Sequence, residues 1–419
     1  MTPASARIVL VASLDSKAEE AAFLRDRLTA DGFAVAVVDF GILGTPGFAP
    51  EVDAETLASL GGANLAALRA RADRGAAIDV MMKGAARYIS DAHRSGEVAG
   101  VISIGGSGGA AVGTAAMRAL PFGLPKMMVS TIASGDTRPY VGIKDIVMVN
   151  SVVDFAGINA ISEPVLRNAA GAMAGMVRSA AAWRRDGPIA KGGPLIAATM
   201  FGVTTPAIEH ARLALAESGA RLIPFHATGM GGQTMESLIA DGFFDAVLDL
   251  TTTEWADEVV GGSLSAGPAR LEAAAKAGIP QVIAPGALDM VNFVGAGGLP
   301  RRFEGRLVHR HDDNVVLMRT SPAENAEIGR RIAEKLNAAV GEVVVMFPLR
   351  GVSALDRTGG AFFDPDADRA LLDALAENLA PRVRLERLDA HVNDKAFADA
   401  CVSRLLSLMD TQKKDTEYA

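Results

Sequence analysis

Residues 101–120 read VISIGGSGGAAVGTAAMRAL. A short apolar run meets Gly105, Gly106, Gly108 and Gly109, and an alanine-rich stretch of helical character follows. Glycine costs roughly 0.5–1 kcal/mol per position against alanine, so such a cluster needs a reason. A buried strand, a tight turn and a helix start supply one. In open α/β sheets ligands sit outside the carboxyl ends of strands, where a helix offers unpaired N–H groups and the positive end of its dipole. A Walker loop would close on Gly-Lys-Ser/Thr, but no lysine occurs between Lys83 and Lys126. Gly106, Gly108 and Ala111 do fit the permissive dinucleotide pattern G-x-G-x-x-A. Yet the next strand, KMMVST (126–131), does not end in the carboxylate that would hold a ribose. The stretch therefore reads as a turn that binds phosphate or carboxylate, against the plainer reading of close packing.

Outward from this turn, strands alternate with helices. RIVLVASL (7–14), FAVAVVDF (33–40), VAGVISI (98–104), KMMVST (126–131) and DIVMVN (145–150) read as strands. A helix over 16–32 ends at Gly32, and a long helical region runs from about Val52 to Ser95. The polar, glycine- and proline-rich segment RRDGPIAKGGP (184–194) has the composition of a linker. The plan then restarts: residues 194–225 repeat the order of 6–40, with Gly219 closing the first helix as Gly32 does. FDAVLDL (244–250), IPQVIAP (279–285), EVVVMF (342–347) and VRLERL (383–388) are further strands. The pattern predicts an α/β chain of two doubly wound parallel-sheet, Rossmann-like domains of similar plan. Their expected bounds are 1–187 for a nucleotide-binding domain and 188–419 for a second domain with a substrate or partner site.

The length of 419 residues suits two or three domains. Net charge is −8 with no basic cluster, which disfavours nucleic acid and anionic membrane as partners. Cys401 is the single cysteine, so an intrachain disulfide and a cysteine metal site are excluded, as suits a reducing cytoplasm. The apolar run Ile8 to Leu14 is too short for a signal peptide, and the uncharged window Gly192 to Ile208 is broken by glycine, threonine and proline. A soluble, cytoplasmic protein is the expectation.

Polar loops follow several strands. In SLDSKAEE (13–20), Ser16 and Glu19 have the spacing of a capping box, while Lys17 can reach a phosphate and Asp15 can orient a metal-bound water or a ribose hydroxyl. VSTIASGDTRPY (129–140) offers Thr131, Ser134 and Gly135, and SVVDFAGIN (151–159) offers Asp154 and Asn159. In the second half, HATGMGG (226–232) reads as another anion cradle. TTTEWADEVVGG (251–262) brings Glu254, Asp257 and Glu258, and PGALDMVNF (285–293) brings Asp289 and Asn292. VHRHDDN (308–314) sets His309 and His311 two apart on a strand. His226, Asp289, His309 and His311 form one metal set, although no local ligand spacing supports it; solvated loop residues or anion ligands are the competing reading. His226, Glu254, Asp289 and His309 are the candidate catalytic residues, expected in one pocket. A histidine titrating near neutrality with carboxylates to orient it suits acid–base work on a small hydroxy or keto acid.

LDSK, SIGGSGG, VSTIASGD, SVVDFAGIN, FHATGMGGQTME, DLTTTEWADEVVGG, GALDMVNF and HDDNVVLMRTSPAEN occur in that order. Over about residues 6–408 they resemble the family containing the ATP-binding domain of the tomato-mosaic-virus resistance protein. The resemblance implies ATP in the first domain and a homodimer; Mg²⁺ beside the ATP and a small-molecule ligand are further expectations. Matched residue by residue, the nucleotide lies near Asp15, Ser16 and Lys17, then Gly105, Gly106, Ser107, Gly108 and Gly109, then Thr131, Ser134 and Gly135. Where the family commonly shows a threonine and a glycine around the lysine, this chain has SLDSKAEE, which keeps a hydroxyl and loses flexibility. The plant protein's further C-terminal domain is not expected here, so its antiviral role does not transfer. Three functions follow: an ATP-binding enzyme acting on a small polar or carboxylate metabolite, a nucleotide-gated regulatory protein without catalysis, or a metal-assisted hydrolase or lyase in the second domain.

Overall fold

A computed structural model describes residues 6–186, 192–295 and 298–417. The chain divides into two compact units, residues 1–189 and 190–419. The linker expected at 184–194 and the boundary at 187–188 fall partly on residues 187–191, outside the described residues.

In the first unit, β1 (Arg7–Ala12), β2 (Val35–Asp39), β3 (Val98–Gly105), β4 (Lys126–Ser130) and β5 (Val147–Asn150) form one sheet in the order β2-β1-β3-β4-β5. All four pairings are parallel. Side chains alternate across the pleat, and both faces are apolar because both are covered. Val9 and Val11 pack with Met81 and Val112, while Ile8 and Leu10 pack with Leu24, Leu28 and Met173. The region 52–95 is three helices, Ala54–Leu60, Leu65–Arg71 and Arg74–Arg94, rather than one. Asp53, Asn64 and Asp73 each accept a backbone N–H at the start, and each such cap opens a new helix. The helix Ser107–Arg118 lies hard against the sheet. A Cβ on its Gly113 would stand 2.3 Å from Ser103 Oγ and 3.2 Å from Met128 Sδ.

In the second unit, β6 (Leu195–Met200), β7 (Arg221–His226), β8 (Ala246–Thr251) and β9 (Gln281–Gly286) lead into a three-stranded insertion. The insertion comprises β10 (Met290–Val294), β11 (Val308–Arg310) and β12 (Val315–Arg319), paired antiparallel in the order β10-β12-β11. β13 (Val343–Pro348) and β14 (Arg384–Leu388) complete a six-stranded parallel sheet, β14-β13-β9-β8-β6-β7. PGALDMVNF, read as a loop, is instead the end of β9, a turn through Ala287 at φ +57°, and β10. His309 lies on β11 and His311 past its end, so the two do not share a strand face.

Both units are thus doubly wound α/β, Rossmann-like domains. In each sheet the first strand lies between the second and the third, so strand order reverses between β1 and β3 and between β6 and β8. A crevice opens at that reversal, beyond the carboxyl ends of the strands.

Candidate functional site

At the first reversal the loops after β1 and β3 are neighbours, which brings Ser13–Lys17 beside the glycine turn. The turn's glycines divide in two. Gly105 sits at φ +152°, and a Cβ there would stand 2.9 Å from Gly109 Cα. A Cβ on Gly109 would stand 3.0 Å from the carbonyl of Ile104. Packing explains these two. A Cβ on Gly106 would meet nothing nearer than Thr131 Oγ1 at 3.7 Å, so packing asks nothing of that position. Gly106 is the N-cap residue of the helix Ser107–Arg118, and no side chain caps it. Its first N–H groups therefore have no intrahelical partner. Next to Gly108, Arg74 Nη2 lies 3.7 Å from where a Cβ would be. Sequence reasoning missed Arg74. A signal existed: it is the first residue of its own helix, an end where a cation opposes the dipole.

The other residues expected here are partly committed. Asp15 accepts from Ser13 Oγ and from the N–H groups of Leu43 and Gly44, at 2.9 and 3.1 Å. Burial pushes its pKa up, but these hydrogen bonds outweigh burial and hold it below the usual carboxylate value. Ser16 Oγ lies 3.1 Å from Ser13 Oγ. The Ser16–Glu19 capping box does not form: Lys17 is the N-cap, no side chain caps the helix, and Glu19 accepts from Ile158 N–H instead. Lys17 Nζ donates to the carbonyl of Phe155 at 2.8 Å, which ties the β1 loop to the β5 loop and leaves two further N–H groups. Thr131–Ser134 is a turn of 3₁₀ helix, with Ser134 Oγ 3.4 Å from the carbonyl of Thr131 and Gly135 N–H donating to Ile132. Asp154 accepts from the N–H of Phe155, and Asn159 caps the N–H groups of Ile161 and Ser162.

In the second unit the cradle at HATGMGG is filled by the protein itself. Glu254 Oε1 accepts from the N–H groups of Gly229 and Gly232, at 2.8 and 3.0 Å, and Oε2 accepts from Arg270 Nε at 2.8 Å. Arg270 is 1% exposed and also meets Asp249 at 2.6 Å and Glu236 at 3.1 Å. Burial pushes Glu254 up and Arg270 pulls it back, with a net rise. Asp257, raised to about 7 by burial, accepts from Asn292 Nδ2 at 2.7 Å. Asp289 is likewise raised to about 7 by burial, and its Oδ2 accepts from Ser353 Oγ at 2.7 Å.

His226 is exposed, its ring 5.5 Å from that of Phe201. Phe201 packs against a buried cluster of Ala287, Met290, Leu317 and Phe362, and the ring of His309 stands edge-on to Phe362 at 6.3 Å. The rings of His226 and His309 thus each approach this apolar cluster, through Phe201 and Phe362, while Asp289 bonds Ser353 and Glu254 belongs to the Arg270 network. Among the described residues, no group of three or more His, Cys, Asp or Glu could hold a metal ion, and no helix is long and apolar enough to cross a membrane. A groove of about 1090 Å³ between the helices Thr205–Glu217 and Lys395–Glu417 contains none of the candidate residues.

Residues 6–182 match the N-terminal domain, and residues 193–409 the C-terminal domain, described as uncharacterised protein family UPF0261. A UPF0261 protein of Clostridium tetani is 47% identical over 406 residues, which cover 96% of this chain and 99% of that protein. One from Rhizobium meliloti is 45% identical over 399 residues, covering 95% and 98%. The ToMV resistance protein Tm-1 of Solanum lycopersicum is 44% identical over 338 residues, covering 80% of this chain and 45% of the tomato protein. On this evidence the chain belongs to the UPF0261 family, most of whose bacterial members are uncharacterised and which includes the tomato Tm-1 homologues.

Proposed function

We propose that the first unit binds ATP, with Mg²⁺, in the crevice between β1 and β3, and that the chain is an enzyme whose second unit acts on a small polar or carboxylate metabolite. One observation carries the nucleotide reading: Gly106 lacks a side chain although packing would admit one, and it opens an uncapped helix at the reversal of strand order. There the N–H groups of Ser107, Gly108 and Gly109 meet phosphate oxygens, Thr131 adds a hydroxyl, and Arg74 and Lys17 add positive charge. Asp15, already accepting three hydrogen bonds, holds the loop at 43–44 in place beside them. Ser16, Ser134 and Gly135 complete the polar rim. In the second unit, His226 and His309, whose rings approach the Phe362 cluster, and Asp289, bonded to Ser353, are the residues for acid–base work.

Titration calorimetry with ATP and Mg²⁺ tests the reading. Gly106→Val sets a branched side chain at the phosphate position, and affinity is expected to fall at least tenfold in a folded variant. An affinity within a factor of two of the parent means that the turn only packs. Incubation with ATP and Mg²⁺ followed by separation of adenine nucleotides then decides between enzyme and nucleotide-gated binding protein. The commitment of Glu254 to Arg270, which removes one candidate reacting group from the second unit, is the observation behind the second reading, a binding protein from which ATP is recovered intact. A homodimer is expected by light scattering.

A further inference from the structure

The sheet of the second unit carries two helices side by side on one face, Thr205–Glu217 and Lys395–Glu417. They begin together: Asn393, just ahead of the second, accepts from Ala207 N–H at 3.4 Å and donates to the carbonyl of Val203 at 2.9 Å. Each follows a strand of the same parallel sheet, so both run back from its carboxyl edge in one direction. Ile208, Ala211 and Leu215 of the first and Phe397, Cys401 and Leu405 of the second, spaced by three and four, face the core. That stripe is all that packing on the sheet requires. The first helix carries more: Leu213 is 56% exposed and, with Ala214, borders the groove between the two helices.

The two ends of this groove differ in chemistry. Where the helices begin it is bordered by His210 and Lys395, which donate hydrogen bonds; toward the other end it is bordered by Glu217 and Asp410, which accept them. Lys395 Nζ donates to Asp399 at 2.6 Å and keeps two further N–H groups. A copy of this face laid on it in the same direction sets donor on donor and acid on acid. A copy turned end for end, by a two-fold axis lying across the groove, sets His210 on the partner's Glu217 and Lys395 on the partner's Asp410. The middle obeys the same symmetry. Leu213 and Ala214 stand midway between His210 and Glu217, as Val402 and Ser403 stand midway between Lys395 and Asp410. Reversal therefore places the larger residue of each pair against the smaller residue of the other copy.

We propose that this face of the second unit docks on the same face of a second copy of the chain, with the helices antiparallel across the contact. The complementarity of each end with the other carries the choice of occupant. A helix of a different protein would ask no such match between the two ends of one groove, whereas a two-fold contact demands it. The proposal rests on the homodimer expected above and names the surface that forms it. Leu213 is the apolar anchor at its centre, and the Lys395–Asp410 pair fixes the direction.

Sedimentation equilibrium of the full chain tests the surface, with circular dichroism as the check on folding. Leu213→Glu sets a charge at the centre of the contact and is expected to raise the dimer dissociation constant at least tenfold with an unchanged spectrum. Asp410→Lys sets two lysines against each other and should weaken the dimer similarly. Adding Lys395→Glu to it exchanges the charges across the contact and should restore the dimer, at the cost of only the exposed pair with Asp399. This charge exchange serves where Leu213→Glu does not fold. A parent that sediments as a monomer overturns both the homodimer reading and this surface. A parent dimer that Leu213→Glu and Asp410→Lys leave intact overturns the surface alone, the copies then meeting through another face. A double variant as weak as Asp410→Lys overturns the antiparallel match.

Discussion

Glu254 Oε2 accepts from Arg270 Nε at 2.8 Å, with both side chains nearly inaccessible to water. Such a pair contributes little relative to an apolar one, but removing one partner strands the other. Loss of a partner typically costs about 3–5 kcal/mol. Arg270→Leu is expected to cost that much in urea unfolding, because Asp249 and Glu254 keep their burial and lose their cation. Glu254→Ala should be similarly costly, as it frees Gly229 and Gly232 N–H as well. A Glu254→Ala variant as stable as the parent would return Glu254 to the list of reacting groups.

The two kinds of glycine in the 105–109 turn should separate by stability. Gly105→Ala meets both a positive φ and Gly109 Cα, and is expected to lose about 1–3 kcal/mol. Gly106→Ala has room, and its thermal midpoint should stay within about 2 °C of the parent.

Arg74→Ala should weaken ATP binding roughly tenfold while leaving the thermal midpoint of the protein without ATP unchanged. A charge-assisted hydrogen bond contributes about 1.5–3 kcal/mol, and among the described residues the guanidinium makes no ion pair that the substitution would break. Calorimetry in 50 and 300 mM salt provides the check: the penalty should shrink in the higher salt.

Asp289 makes the second unit pH-sensitive. Its pKa is raised to about 7, so between about pH 4 and 7 the native chain keeps a proton that the unfolded chain has lost. Stability therefore falls as pH rises through that window, by about 1.4 kcal/mol per pH unit for one proton. Asp289→Asn cannot titrate, and its urea-derived stability should lose that share of the slope between pH 5 and 7.

Val152, at φ +66° and 65% exposed, is held in a left-handed conformation with Asn150 accepting from its N–H. A β-branched residue is strained there. Val152→Asn should raise stability by about 1 kcal/mol, measurable as a higher thermal midpoint.

The parallel sheets were legible because their strands are apolar on both faces, as in IVLVA of β1, and because each glycine turn marks a strand end. The antiparallel insertion was not. The reversal puts the positive φ on Ala287 rather than on the neighbouring Gly286, and MVNFV then continues the apolar run. The polar loops after β1, β3 and β4 were legible as motifs. Arg74 was hidden because its approach to Gly108 arises from two helices meeting, which no local spacing records. The pairing of Glu254 with Arg270 was hidden for a similar reason: a carboxylate beyond a strand looks the same in sequence whether it awaits a substrate or holds a buried guanidinium.

Gly113 has a mechanical consequence. With 2.3 Å between its absent Cβ and Ser103 Oγ, the backbone of the helix Ser107–Arg118 touches a side chain of β3 directly at this position. Rotating or translating it would drive backbone into β3. Its first N–H groups are therefore fixed relative to the sheet, like an anvil, and under the proposed function adjustment to differently shaped ligands falls to the loop at 131–137. Enlarging residue 113 should alter which ligands are accepted without a single new contact to any of them.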